Sequence, residues 1–216
     1  RADEFHVVLL QATLPLIAAP LLGAELEARR LPAAALAALA LALPAAYALD
    51  RKGVQLLHPP ELAALDVPPG DGVRAEPREA HALERLSAYV RDRVPPGEPV
   101  FVANPRHDRV RVGNPLVSVL VGRPNPTRYP IMQPGVVTEP DVQREMVRDI
   151  ERSDTALVVR WLSPVASERE PNDSGRESGA RLLDRHLRSA FRPVRRFGDY
   201  EVLVRRDRRG GPTLAD

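Results

Sequence analysis

Two long stretches of this chain carry no charged side chain: Val7 to Ala24 and Leu31 to Leu49. A helix that crosses a bilayer needs roughly 20 apolar residues, with a range of about 17 to 25. Both stretches reach the short end of that range. Between them lies Glu25-Leu26-Glu27-Ala28-Arg29-Arg30, a short charged turn. The pattern predicts a hairpin of two antiparallel transmembrane helices over about 7–24 and 31–49. Alanine dominates the second stretch and is near neutral for insertion, so a buried helical hairpin in a water-filled environment is the alternative. Pro15, Pro20, Pro32 and Pro44 interrupt both stretches. Membrane helices tolerate proline because neighbouring helices satisfy the freed backbone groups. Arginine-rich short loops tend to face the cytoplasm. The Arg29-Arg30 turn therefore places residues 1–6, and all that follows Asp50, on the outer side. Arg51 and Lys52 argue mildly the other way.

The chain opens on Arg1 rather than Met, with Asp3 and Glu4 where a signal peptide would be positive. A fragment with its natural N-terminus further upstream is the expectation. Beyond the hairpin, Pro59-Pro60, Pro68-Pro69-Gly70 and Asp71-Gly72 break regular structure. Residues 51–79 read as a linker, with room for a short helix around Glu61 to Leu65.

The remainder, 80–206, alternates helix and strand. Leu83, Leu86, Tyr89, Val90 and Val94 recur at helical spacing, which predicts an amphipathic helix from His81 to Val94. Val100 to Ala103 reads as a buried strand, and Leu116 to Val121 as either helix or strand. Val142, Met146, Val147 and Ile150 mark a second helix over Glu139 to Ser153, and Thr155 to Leu162 a second strand. Leu182, Leu183, Leu187 and Phe191 mark a third helix from Gly179. Val194 to Phe197 and Tyr200 to Arg205 flank a Gly198-Asp199 turn as a hairpin. The expected fold class is α/β: two transmembrane helices, then a small α/β sandwich with a mostly parallel sheet and a C-terminal β-hairpin. A disordered tail is expected over 207–216.

Composition narrows the function. The net charge is only +2, with aromatics at 4% of residues, so no nucleic-acid partner is expected. Arg205, Arg206, Arg208 and Arg209 read as a solvated tail, with anionic lipid headgroups as the sharper alternative. The absence of cysteine removes disulfides, thiolate zinc sites and a thiol nucleophile. No GxGxxG, Walker A, HExxH or GxSxG motif occurs. No cofactor is evident.

Three polar clusters remain. Arg1, Asp3 and His6 stand at the mouth of the first apolar run, where arginine suits a phosphate and Asp with His suits a divalent ion or a proton. They also serve simply to end a helix. Arg128 and Tyr129 lie in the Pro-bounded stretch Asn125 to Pro130. They suit an anionic ligand, or a structural loop in which the arginine pairs with a carboxylate. Glu170 and Asn172 lie in a Gly-containing loop after a strand, where ligands gather in open α/β sheets. An exposed loop is the alternative there. His107-Asp108, after the first strand, is similarly placed.

The motif order carries a resemblance. It runs from a helix through Pro95-Pro96-Gly97-Glu98-Pro99-Val100-Phe101-Val102, Asn114-Pro115-Leu116, Pro126-Thr127-Arg128-Tyr129 and Pro134-Gly135 to Val142-Gln143-Arg144-Glu145-Met146-Val147. An apolar strand follows, then Glu170-Pro171-Asn172-x-Ser174, Leu182-Leu183-Asp184 and Phe197-Gly198-Asp199-Tyr200-Glu201-Val202-Leu203. With Arg1-x-Asp3-x-x-His6 at the start, this resembles the C-terminal extracytoplasmic region of bacterial multi-pass proteins related to protein mannosyltransferases, the GT-C type. The resemblance covers most of residues 1–206. It implies sugar transfer from a polyprenyl-phosphate donor at the outer face of the bacterial cytoplasmic membrane. The lipid bilayer and the remaining transmembrane helices of the same protein would then be partners, and a divalent cation is left open for the full-length enzyme. The family's catalytic carboxylate lies in a first outer loop upstream, so no catalytic residue carries over to this sequence. Arg128 and the loop from Glu170 to Ser174 would line the acceptor entrance. The alternative is a non-catalytic, membrane-anchored binding or assembly module.

Overall fold

The computed structural model describes residues 4–170 and 173–206, with the side chains of 4–15, 44, 48, 51, 52 and 54–56 outside the description. The expected disordered tail, 207–216, lies outside the described residues. The chain divides into two compact units, Arg1–Glu61 and Leu62–Asp216.

The first unit is a pair of helices, α1 (Glu4–Glu27) and α2 (Leu31–Leu57). Ala18 and Ala34 are its buried described side chains. At the turn, Arg29 takes a left-handed φ of 54°. Its amide bonds Leu26 O at 3.1 Å, and the amide of Arg30 bonds Glu25 O at 2.8 Å. Carbonyls left over at the end of α1 are thereby satisfied. Pro32 enters α2 in its first turn, where a missing N–H costs nothing.

Among the described residues, no helix is long and apolar enough to cross a membrane. This corrects the expectation of two transmembrane spans at about 7–24 and 31–49. In α2 the apolar stretch is built mainly on alanine, which gains little on leaving water, and the same helix continues without a break through Asp50.

The second unit is a sheet between two layers of helices. It opens with a small antiparallel pair, β1 (Ala63–Ala64) on β2 (Arg74–Ala75), closed by a 3-10 turn at Pro68–Gly70. Leu65 and Val67 in this segment are buried in the core. Residues 62–75, expected as linker, are therefore part of the packed unit, and a strand replaces the short helix expected near Leu65. Helix α3 (Pro77–Arg93) follows, with the Glu76 carboxylate accepting from the amide of Glu79 at 3.2 Å as its cap. Next come β3 (Val100–Ala103), α4 (Pro115–Val121), α5 (Pro140–Arg152), β4 (Leu157–Trp161), α6 (Leu182–Ala190), β5 (Phe191–Phe197) and β6 (Tyr200–Arg205).

The sheet order is β3-β4-β6-β5. β3 and β4 are parallel, while β6 runs antiparallel to both β4 and β5. The sheet is therefore mixed rather than mostly parallel. The C-terminal hairpin docks its second strand against β4, and the Arg160–Glu201 ion pair spans that junction. Side chains alternate across the pleat. Val100, Val102, Leu157, Val159 and Val202 face Leu86 and Val90 of α3 and Leu120 of α4. Phe101, Ala103, Val158 and Leu203 face Met146 and Ile150 of α5 and Leu183 and Leu187 of α6. Two apolar faces, each covered by helices, make the three-layer α/β arrangement.

Candidate functional site

Several buried polar groups gather just past the end of β3, around the loop from Asn104 to Asn114. His107 and Asp108 sit there, and both are buried. The His107 Nδ1 lies 2.7 Å from Asp184 Oδ1, and the His107 backbone N–H donates to Asp184 Oδ2 at 3.2 Å. Nε2 faces the backbone N–H of Asn104 at 3.4 Å and accepts from it. The ring proton therefore sits on Nδ1 and is shared with Asp184. Asp184 lies in the first turn of α6, where the helix dipole favours a carboxylate. Burial pushes its pKa up, but the hydrogen bonds from the His107 ring and backbone N–H outweigh this and hold it below the ordinary value.

Gln143 of α5 closes the cluster. The two N–H groups of its Nε2 are shared among three carbonyls, His107 O at 2.9 Å, Ala180 O at 3.0 Å and Val137 O at 3.2 Å. Its Oε1 accepts from the amide of Leu183 at 3.2 Å. One fully buried amide thus joins α5, the loop after β3 and the start of α6.

Asp108 is the charged neighbour. Arg106 grips it with two bonds, Nε to Oδ1 at 2.7 Å and an Nη to Oδ2 at 2.6 Å. Arg181 adds a third at 3.1 Å. The Arg106 hydrogen bonds, opposed by burial and aided by both guanidinium charges, hold the Asp108 pKa below its ordinary value. Glu177 bridges Arg106 at 3.1 Å and Arg109 at 2.9 Å, and Arg111 pairs with Glu168. The loop after β3 is strapped to segment 166–181 by this chain of ion pairs. A separate joint lies on the opposite face of the sheet. There Asn114 donates to the buried Tyr200 hydroxyl at 3.0 Å, and that hydroxyl donates to Glu79.

The candidates named from sequence fall in different places. Arg1, Asp3 and Asn172 lie outside the described residues. His6 is in α1, with its side chain outside the description. Arg128 and Tyr129 are brought together on one carboxylate: Arg128 Nε reaches Glu145 Oε1 at 2.7 Å, and the Tyr129 hydroxyl donates to Glu145 Oε2 at 3.0 Å. The Arg128 side chain remains 71% exposed. Glu170 accepts from the Ser174 hydroxyl at 3.2 Å. Its loop folds so tightly that a Cβ on Gly175 would stand 2.2 Å from Glu170 O. Among the described residues, no three His, Cys, Asp or Glu side chains gather where a metal ion could be held.

Gln143, Asp184, Arg106 and Arg181 were not candidates. Gln143 and Asp184 entered only as letters of the resemblance motifs. For Gln143 a local signal existed: it shares the helical face of Met146 and Ile150, so a buried amide was due there. No signal ties Asp184 to His107 across the intervening sequence. Set against protein-family models, curated proteins and solved structures, the chain finds no match.

Proposed function

We propose that this chain supplies a non-catalytic accessory region to a sugar transferase of the protein-mannosyltransferase-like, GT-C type. In that reading its α/β unit stands outside the bacterial cytoplasm on the acceptor side, and the chemistry on a polyprenyl-phosphate donor is done elsewhere in the protein. One observation supports it. The residues that carry the resemblance serve as joints of the α/β unit: Asn114 on Tyr200, Arg128 and Tyr129 on Glu145, Gln143 on three carbonyls, and Asp184 on His107. A motif set used this way specifies a fold more than a reaction. His107, the buried residue best suited to proton transfer, has both ring nitrogens engaged inside the protein.

Arg128 and Glu170 are the residues assigned to the acceptor entrance, Arg128 through its exposed guanidinium. The test is sugar transfer by the whole protein from a polyprenyl-phosphate donor, with Arg128→Ala and Glu170→Ala. Loss of one charged hydrogen bond to the acceptor raises its KM by about tenfold and leaves kcat unchanged. Transfer unchanged in both variants would overturn the assignment. A second reading, a binding or assembly module with no chemistry, is favoured by the exposed leucines of the α1–α2 hairpin.

A further inference from the structure

The α1–α2 unit leaves much of its apolar surface uncovered. Leu16, Ile17, Leu21, Leu36, Leu39 and Leu43 are each more than half exposed. Large exposed apolar patches on a protein surface mark interaction sites. A cavity of about 370 Å³ runs between the two helices, lined by Ile17, Ala18, Leu21 and Glu25 of α1 and by Ala33, Leu36, Ala37 and Ala40 of α2. The alanines leave the α2 side low and open, so the backbone of a further helix can come close, at roughly 8 to 10 Å between axes.

What fits there is set by the one charged group in the lining. Glu25 Oε2 is buried and has no hydrogen-bond partner. Its other oxygen reaches Arg30 only at 3.8 Å. A buried, unbonded carboxylate oxygen needs a donor. Arg29 stands exposed in the adjoining turn, and among the described residues no hydrogen bond or ion pair engages its side chain. An unmet acceptor and an unused cation on the same turn are the two halves of a self-complementary contact. The exposed tops of Ile17, Leu21 and Leu36 also call for an occupant as broad as a helix, because a small ligand in the cavity would leave them in water.

We propose that the occupant is a second copy of this chain. Two hairpins lie side by side, turn against turn, about a two-fold axis parallel to the helices. Each copy covers the groove of the other, and each Glu25 receives Arg29 of its partner. The product is a four-helix bundle with an apolar interior.

The test is sedimentation velocity on the 216-residue chain, with helicity followed by circular dichroism. The wild type is expected as a dimer. Leu36→Glu, at a side chain 70% exposed and so with little internal packing to lose, is expected as a folded monomer. Glu25→Arg is expected to weaken association about tenfold, and the swap Glu25→Arg with Arg29→Glu to restore it. Should Leu36→Glu lose helicity, the charge swap still decides. A wild-type monomer would overturn the proposal. If that monomer bound phosphatidylglycerol vesicles, the groove would belong to a lipid surface instead. A dimer indifferent both to Leu36→Glu and to the charge variants would overturn it equally.

Discussion

Asp108 has about 1% of its side chain exposed, yet three N–H groups of Arg106 and Arg181 are directed at it. Such a carboxylate stays ionised because the arginine bonds outweigh the cost of burying charge. Asp184 reaches the same state by another route, with His107 and a backbone amide overcoming its burial. Both folded-state pKa values lie below their unfolded ones. The stability these groups contribute is therefore fully present above the unfolded value near 3.9 and is lost as pH falls through the folded value. Urea unfolding followed against pH should show the midpoint dropping steeply below about pH 4. Asp108→Asn should remove about 2 kcal/mol at neutral pH and flatten the acid limb. An acid limb parallel to that of the wild type would show that Asp108 does not carry this term.

At the scale of elements, the tight points are where loops meet the sheet. Gly175 has no room for a methyl group, because a Cβ there would press on the backbone of Glu170 rather than on a flexible side-chain end. Gly175→Ala should cost about 1–3 kcal/mol, read as a lowered thermal midpoint. A midpoint unchanged from wild type would mean that the loop from Glu170 to Gly175 can open without affecting the core. The elements visible in the sequence are those that carry their own period. Helices α3, α5 and α6 announce themselves by apolar residues at helical spacing, and the C-terminal hairpin by its Gly198-Asp199 turn. What sequence could not supply is partnership. That β6 inserts beside β4, making the sheet mixed, is a non-local choice with no local mark. β1 and β2 are two residues each, too short to show a period, so the segment holding the buried Leu65 and Val67 reads as linker. His107 was visible as a residue after a strand, but not as one half of a pair with Asp184, since the two meet only through folding.

At the scale of the whole molecule, two units divide the work. In unit Arg1–Glu61 most of the described leucines of α1 and α2 are exposed. Unit Leu62–Asp216 turns inward. Its core lies on both faces of the sheet, and the polar cluster past β3 spends its hydrogen bonds on the protein itself. A catalytic histidine presents a ring nitrogen to a substrate, whereas His107 is wholly buried between Asn104 and Asp184. The reading of the α/β unit as accessory depends on that difference. On the proposed function, the measurement that decides it is sugar transfer by the whole protein carrying His107→Asn, assayed well below the melting midpoint, with folding checked by circular dichroism. A structural His107 predicts a lowered midpoint and a rate within about twofold of wild type. General acid–base catalysis contributes roughly 10²–10⁴-fold, so a rate lost by a hundredfold or more in a folded variant would contradict the accessory role and make His107 part of the chemistry.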